Sequence, residues 1–538
     1  GVWVGSRWYR SDEPAALPTI PLRSMPYDAY EPVIGLEVHV QLDTESKIFS
    51  PDSTAFGADP NAQVDPVSLG HPGTLPVLNG RAVHHALRLG VATHAKISRR
   101  SVFARKHYFY PDLPKGYQIS QYDTPICYDG YVEIEREDAP SSPDEEAGDD
   151  ADPTRGASLK RVGLTRIHLE EDAGKSIHPE ADAASLIDYN RCGVPLVEIV
   201  TEPDLRSPHE AYQFLEKLRQ IVRYLQVSDG NMEEGSLRCD ANVSVRPRGH
   251  SDFGTRTELK NLNSMRHVED ALAYEITRQI AARERGASVS QQTLLWDPDA
   301  GVTRPMRTKE EAHDYRYFPD PDLVPITVDE DRLDAVRASL PEMPDARRRR
   351  FIEDVGLPPY DAGVLTEERE VADYFEETLQ QVFKRTKGGD TQAQAKAVSN
   401  HIMTDVLRVL NEDDRSVDDL PVTPERLAQL VYLRLQDRVS SSAGQEVFER
   451  MMEEPEKSAG KIADEYDLIQ VSDRDAIESV VASVVDENEE KVRTYLDGKE
   501  GLLGFFIGQV MQRFDGSPNP KLVRELLNEH LERRRAEA

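Results

Sequence analysis

Hydrophobic and polar positions along the chain fall into two regimes. From residue 31 to about 326, short runs alternate residue by residue, separated by Gly- and Pro-marked turns and by helical segments. Strands are predicted at 33–42, 163–169, 196–201 and 237–245. Successive strand residues point to opposite sides. In the first strand Leu36, Val38, Val40 and Leu42 therefore share one face, and Glu37, His39 and Gln41 share the other. A helix is predicted over 208–225, with Ser207 as N-cap, Pro208 at the first position and Glu210 completing a capping box. Its apolar stripe is Ala211, Phe214, Leu215, Leu218, Ile221, Val222 and Leu225. A second helix is predicted over 265–285, with Ser264 placed to cap it. After Pro325 the spacing is helical to the end, broken at Pro341, Pro344, Pro358, Pro421 and Pro424. The pattern predicts an α+β part followed by helical parts.

Length adds two to four domains, at roughly 100–200 residues each. The division expected is 1–29 as a disordered extension, 30–326 as an α+β domain, 327–419 as a helical domain and 420–538 as a helical tail. The stretch 139–158 is acidic, Pro-rich and nearly free of large apolar groups, and reads as a disordered insertion. Net charge is −32, spread along the whole chain. Such a chain repels nucleic acid at low salt, so the charge is read as adaptation to concentrated salt, where repulsion is screened within a few Å. Arg347–Arg350 and Arg533–Arg535 are local basic patches against that background. Cys127, Cys192 and Cys239 include no CxxC pair, which fits a reducing cytoplasm and excludes a disulfide framework. No apolar run is long enough to span a bilayer, so no membrane association is expected.

Four segments carry acids between apolar residues. Beside Glu37 and His39, the run RIHLEEDAGK places Glu170, Glu171 and Asp172 in succession, VPLVEIVTEPD sets Glu198 among apolar neighbours, and EEGSLRCDANVSVRP alternates Asp240 with buried positions. An unpaired carboxylate in such a setting is costly. Converging carboxylates hold hard divalent cations, usually Mg²⁺ with phosphates. A half-buried edge strand with solvated acids accounts for the same spacing. ARKHYFYPDLPKGYQISQYD, 104–123, combines aromatics that stack bases with cations that hold phosphates. TELKNLNS, 257–264, lies ahead of a predicted helix N-terminus, where anions bind; ordinary capping explains it equally.

Taken together and in order, IGLEVHVQL, KHYFYPDLPKGYQISQYD, RIHLEEDAGKS, DYNRCGVPLVEIVTEPD, EEGSLRCDANVSVRP, TELKNLNS and DYRYFPDPDLVP resemble the B subunits of the aspartyl/glutamyl-tRNA amidotransferase, over residues 31 to 325. The resemblance implies a glutamine synthetase-like cradle with an antiparallel sheet, then a helical linker domain and a tRNA-binding tail. It implies ATP-dependent phosphorylation of the side-chain carboxylate of Asp or Glu misacylated onto tRNA, followed by amidation with ammonia. Carried over by motif, Glu37, His39, Glu171, Glu198 and Asp240 are the metal candidates, with Glu37, Glu171 and Asp240 catalytic. Glu171 is preferred there to Glu170, although alternation does not decide between them. Lys106, Lys115, Lys175 and Arg238 are candidates for phosphate or acyl contact or the ammonia path, and Tyr108, Tyr117, Lys260 and Asn261 for the tRNA acceptor end. The cofactors implied are ATP and Mg²⁺, or Mn²⁺ if His39 is a ligand.

Many members of that family carry a cysteine zinc site where this chain has Ser50, Asp52, Asp65 and Ser68, so no structural zinc is expected and packing is expected to hold that element. The chain shows no ammonia-generating signature. The resemblance supplies an amidase A subunit and a small C subunit as partners, and a cytoplasmic setting. Two other readings remain: a non-catalytic tRNA-binding scaffold, and a stand-alone carboxylate–amine ligase, which would not need the long helical tail.

Overall fold

The computed structural model describes residues 27–136, 159–177, 185–306, 315–413 and 415–537. Most of the expected extension and the acidic insertion at 139–158 lie outside the described residues. Tyr27–Ala29, assigned to the extension by the sequence, form one 3₁₀ turn.

A nine-stranded sheet organises the first part of the chain. Across it run Val302–Pro305, Gln292–Asp297, Thr257–Leu262, Leu237–Pro247, Tyr30–Gln41, Pro195–Thr201, Leu159–Glu171, Cys127–Glu135 and Lys96–Ile97. The expectation of an antiparallel sheet is corrected at one place: Thr257–Leu262 and Gln292–Asp297 pair in parallel. The helix Met265–Glu284 lies between those two strands in sequence and makes the crossover that a parallel pair requires.

Val38 and Val40 are completely buried, with Ala241, Val243, Val197, Ile199 and Ile167 from neighbouring strands. The helices Gly80–Ala92, Pro208–Tyr224 and Met265–Glu284 cover this apolar side and share its core. Every predicted stripe residue of the helix Pro208–Tyr224 and its cap Leu225 lies in that core. Its Ser207 hydroxyl accepts from Glu210 N–H, but the Glu210 carboxylate reaches back to Arg206 N–H, one residue before the position a capping box would use. The opposite, polar side of the sheet is where the candidate chemistry collects.

A smaller sheet joins Ala104–His107 to Tyr117–Ser120 and to Phe318–Pro319. It brings three aromatic-rich segments together.

The chain divides into two units, with the limit between Met343 and Pro344. Helix Glu330–Ala338, which the sequence placed in the second domain, buries Leu333 and Val336 in the core of the first unit. The second unit is helical. One of its cores runs from Phe351 to Ala463, across the limit expected at residue 420, and another from Ile477 to Leu531.

Candidate functional site

Strand register decides which side chains meet. His39 pairs with Arg238 on one side and with Glu198 on the other, and Glu198 pairs with His168. Arg238, His39, Glu198 and His168 therefore form one row across four strands, all pointing away from the apolar core. In the flanking row Glu37 pairs with Asp240.

The resulting cluster is tight. His39 Nε2 lies 3.5 Å from Glu198 Oε2, 3.6 Å from Glu170 Oε1 and 4.0 Å from Glu37 Oε1. His168 Nε2 lies 3.5 Å from Glu170 and 3.6 Å from Glu198. Two triads result, Glu37–His39–Glu198 and His168–Glu170–Glu198, and in each the candidate ligand atoms lie within 4.8 Å of one another. Carboxylates with imidazole fit Mg²⁺ or, with more nitrogen, Mn²⁺.

The electrostatics follow from burial and pairing. Burial opposes protonation of His39, but the Glu198 hydrogen bond and the Glu170 and Glu198 charges outweigh it and raise the imidazole to about 9. Burial opposes ionisation of Glu198, yet His39, His168 and Arg166 hold its carboxyl well below the usual range. Glu37 is raised, first by burial and then by the Glu198 charge. Asp172 is buried and still held low, by Arg238 and Arg191; Arg238 donates to it at 2.8 Å and Gln41 at 2.9 Å.

Glu37, His39 and Glu198 thus meet as expected. Glu171 does not join them. It lies one residue out of phase with His168 and Glu170, and on the other side of the strand it pairs with Lys115 and accepts Ile119 N–H at 2.8 Å. Glu170 occupies the place assigned to it. Asp240 faces Glu37 but stands at the margin, bound by Lys260 at 2.5 Å. Lys260 also reaches Glu258 at 3.1 Å.

The remaining candidates scatter. Lys106 Nζ sits over the rings of Tyr108 and Tyr315, at 5.8 and 5.0 Å. Lys175 is exposed on a short two-stranded ribbon. Tyr117 lies under Arg105 and Lys115 rather than at the cluster. Asn261 adopts φ 65° and donates to Trp296 O at 2.9 Å, which gives it a local structural role.

Sequence reasoning passed over Glu170 as second choice, named Asp172 without a role, and missed His168 and Arg166. The signal was present: Ile167 and Leu169 are apolar, so Arg166, His168, Glu170 and Asp172 must share the opposite face.

Behind Glu171 a cavity of about 110 Å³ is lined by Lys47, Ser50, Ser68, Lys115, Tyr117 and Glu171. At its wall the expected cysteine positions converge without thiolates. Ser68 Oγ donates to Asp52 at 2.5 Å, Ser50 Oγ lies 3.0 Å from both, and Asp65 N–H donates to Asp52 at 3.0 Å. The ammonium of buried Lys47 bonds Gln63 O at 2.6 Å and lies 3.8 Å from Asp52. Hydrogen bonds around a carboxylate hold this element together with the packing of Ile48 and Phe49 in the core.

Residues 32–334 match the family described as the GatB/GatE catalytic domain, and residues 374–531 match the family described as the GatB domain. The chain belongs to the amidotransferase B-subunit family. It is 72% identical, over 95% of its length and 99% of the relative's, to the B subunit of the aspartyl/glutamyl-tRNA(Asn/Gln) amidotransferase of Salinibacter ruber. Proteins of the same name from Halorhodospira halophila and Chlorobaculum tepidum are 53% and 51% identical, each over 94% of this chain and 99% of their own. Within this family frame, the first match spans all four strands that build the carboxylate–imidazole cluster.

Proposed function

We propose that this chain is the B subunit of a glutamine-hydrolysing aminoacyl-tRNA amidotransferase, which activates the side-chain carboxylate of Asp-tRNA(Asn) or Glu-tRNA(Gln) with ATP and converts it to the amide. The observation that carries this reading is the convergence of Glu37, His39, Glu170, Glu198 and His168 on one sheet face, in a chain 72% identical to a relative of that name.

A free carboxylate resists ammonia because its leaving group would be oxide. Attack by a carboxylate oxygen on the γ-phosphorus of ATP releases ADP and leaves an acyl phosphate. Ammonia then adds at the carbonyl carbon and inorganic phosphate departs. A divalent cation held by Glu37, His39 and Glu198, with Glu170 and His168 beside them, would neutralise phosphate charge at this site. Arg166, 3.3 Å from Glu198, and Arg238 place positive charge along the same face, where phosphate oxygens are negative. The buried hydrogen bonds of Asp172 hold Arg238 in place. On the other side of the strand, Lys115 and Glu171 pair at the wall of the cavity and are the candidates for the ammonia path.

The fold of the first unit is read as a glutamine synthetase-like cradle, and the second unit as a helical linker domain followed by a tRNA-binding tail. An amidase A subunit and a small C subunit complete the assembly, in the cytoplasm. Among the described residues no helix is long and apolar enough to cross a membrane.

The test is reconstitution with A and C subunits and assay of Glu37→Ala and Glu198→Ala. Both variants should lose ATP-dependent amidation while glutaminase activity persists. Normal amidation by both would reject the catalytic reading and favour a scaffold.

A further inference from the structure

Of the acceptor-end residues expected from the sequence, Tyr117, Lys260 and Asn261 are engaged with Lys115, Asp240 and Trp296, and Tyr108 belongs to a different aromatic row. Tyr122 and Tyr317 stack with ring centroids 4.3 Å apart and planes 11° from parallel. Tyr317 meets Tyr315 edge-on at 6.2 Å, and Tyr315 meets Tyr108 at 6.0 Å. Tyr122 and Tyr317 flank the small sheet, in which Phe318 pairs with Arg105 and Ser120 with Ala104, and His107 N–H donates to Tyr315 O at 2.9 Å.

The stack adjoins the carboxylate cluster. Ser120, two residues before Tyr122, donates its hydroxyl to Glu170 at 3.2 Å. Burial, then the charges of Glu170 and Glu198, push the Tyr317 hydroxyl up. Lys106 lies against the far end of the same aromatic row. Tyr122 has one face on Tyr317 and is still 59% exposed.

We propose that the Tyr122–Tyr317 stack is the platform for the unpaired 3′-terminal adenosine of the aminoacyl-tRNA, seating the base so that the esterified side chain reaches the cluster at Glu170 and Glu198. This rests on the tRNA-dependent reading above and specifies which residues hold the end of the substrate. An open, one-sided aromatic face suits an unpaired base. A small-molecule nucleotide site instead encloses most of its ligand, and so the adenine of ATP is the less favoured occupant. Tyr122 is a positioning residue in this account, since the ring touches the base and not the reacting carboxylate.

The test uses the assembled complex and two forms of its uncharged tRNA, one intact and one lacking only the terminal adenosine. The wild-type complex should bind the intact form about tenfold more tightly, as one base–aromatic stack supplies. Tyr122→Ala should bind both forms equally, Tyr122→Phe should keep the preference, and the KM for ATP should stay unchanged in both. Retention of the tenfold preference by Tyr122→Ala would overturn the proposal, as would absence of the preference in the wild type. A raised KM for ATP with the tRNA preference intact would assign the platform to the nucleotide instead. Because the binding ratio is read without turnover, it reports on the platform even if the complex shows no amidation, which would count against the function and not the stack.

Discussion

His39 lies within 4.0 Å of three carboxylates, and this decides both its charge and its use. Its value of about 9 lies above the ordinary 6.5. The stabilisation from its proton is therefore complete below 6.5 and is lost as pH rises through about 9. A cation that bonds the imidazole must displace that proton. Affinity of the cation-free protein for Mn²⁺, followed by electron paramagnetic resonance, should rise about tenfold per pH unit between pH 7 and 8.5. His39→Ala should flatten that slope. A wild-type slope already flat would show that the metal sits on carboxylates alone.

Lys47 is the other residue with a decided role. It is 1% exposed, its ammonium is committed to Gln63 O and the Asp52 carboxylate, and burial lowers its pKa. Lys47→Met keeps the unbranched apolar stem but strands the carbonyl and removes the charge facing Asp52. We expect a loss of about 2 kcal/mol, as for a buried polar group left without its partner, read as an earlier urea midpoint. An unchanged midpoint would show that packing, not the ammonium, holds the loop.

At the scale of elements, the strand Tyr30–Gln41 and the helix Pro208–Tyr224 were legible because each is specified locally, by alternation in one and by a cap and a stripe in the other. The acids after Leu169 were not resolved in the same way, because three consecutive acids carry no alternation of their own and the phase lay in Ile167 and Leu169 before them. Several arginines of the two basic patches are paired with carboxylates of the same chain. Arg347 is buried and bound to Asp373 and Glu376, Arg350 binds Glu376, and Arg533 and Arg534 bind Glu478 and Asp486. These guanidinium groups are engaged within the chain.

Arg426 shows how an arginine can order helices without any carboxylate. It donates to Pro421 O, Met451 O, Glu454 O and Lys457 O at 2.7–3.3 Å, closing the C-terminal end of helix Ser441–Glu453. Burial outweighs the opposing influence of Tyr374 and the Glu456 charge and lowers its pKa. A lysine has neither the planar fork nor the reach to serve four carbonyls. Arg426→Lys should cost about 2 kcal/mol, near 1 kcal/mol for each of two lost bonds, measured by urea unfolding. A cost below 0.5 kcal/mol, typical of surface substitutions, would reject this role.

For the molecule as a whole, a net charge of −32 sets the conditions for folding. Screening extends over about 10 Å at 0.1 M salt and about 3 Å at 1 M. Self-repulsion should therefore fall steeply between these conditions, and the melting temperature in KCl should rise by several degrees from 0.1 to 1 M. A melting temperature independent of KCl would end the reading of the charge as salt adaptation.

The sequence by itself determined the α+β order of elements, the helical second part, the face on which Glu37 and His39 lie, and membership of the amidotransferase B-subunit family. These properties are carried by local periodicity or by long motifs, and they need no knowledge of distant neighbours. Only the tertiary structure decided that Glu170 and not Glu171 joins His39, that His168 completes the cluster, and that Tyr122 meets Tyr317. A strand's period fixes which side a residue takes but not what lies across from it. His39, Glu198 and His168 meet because register brings together strands that are remote along the chain.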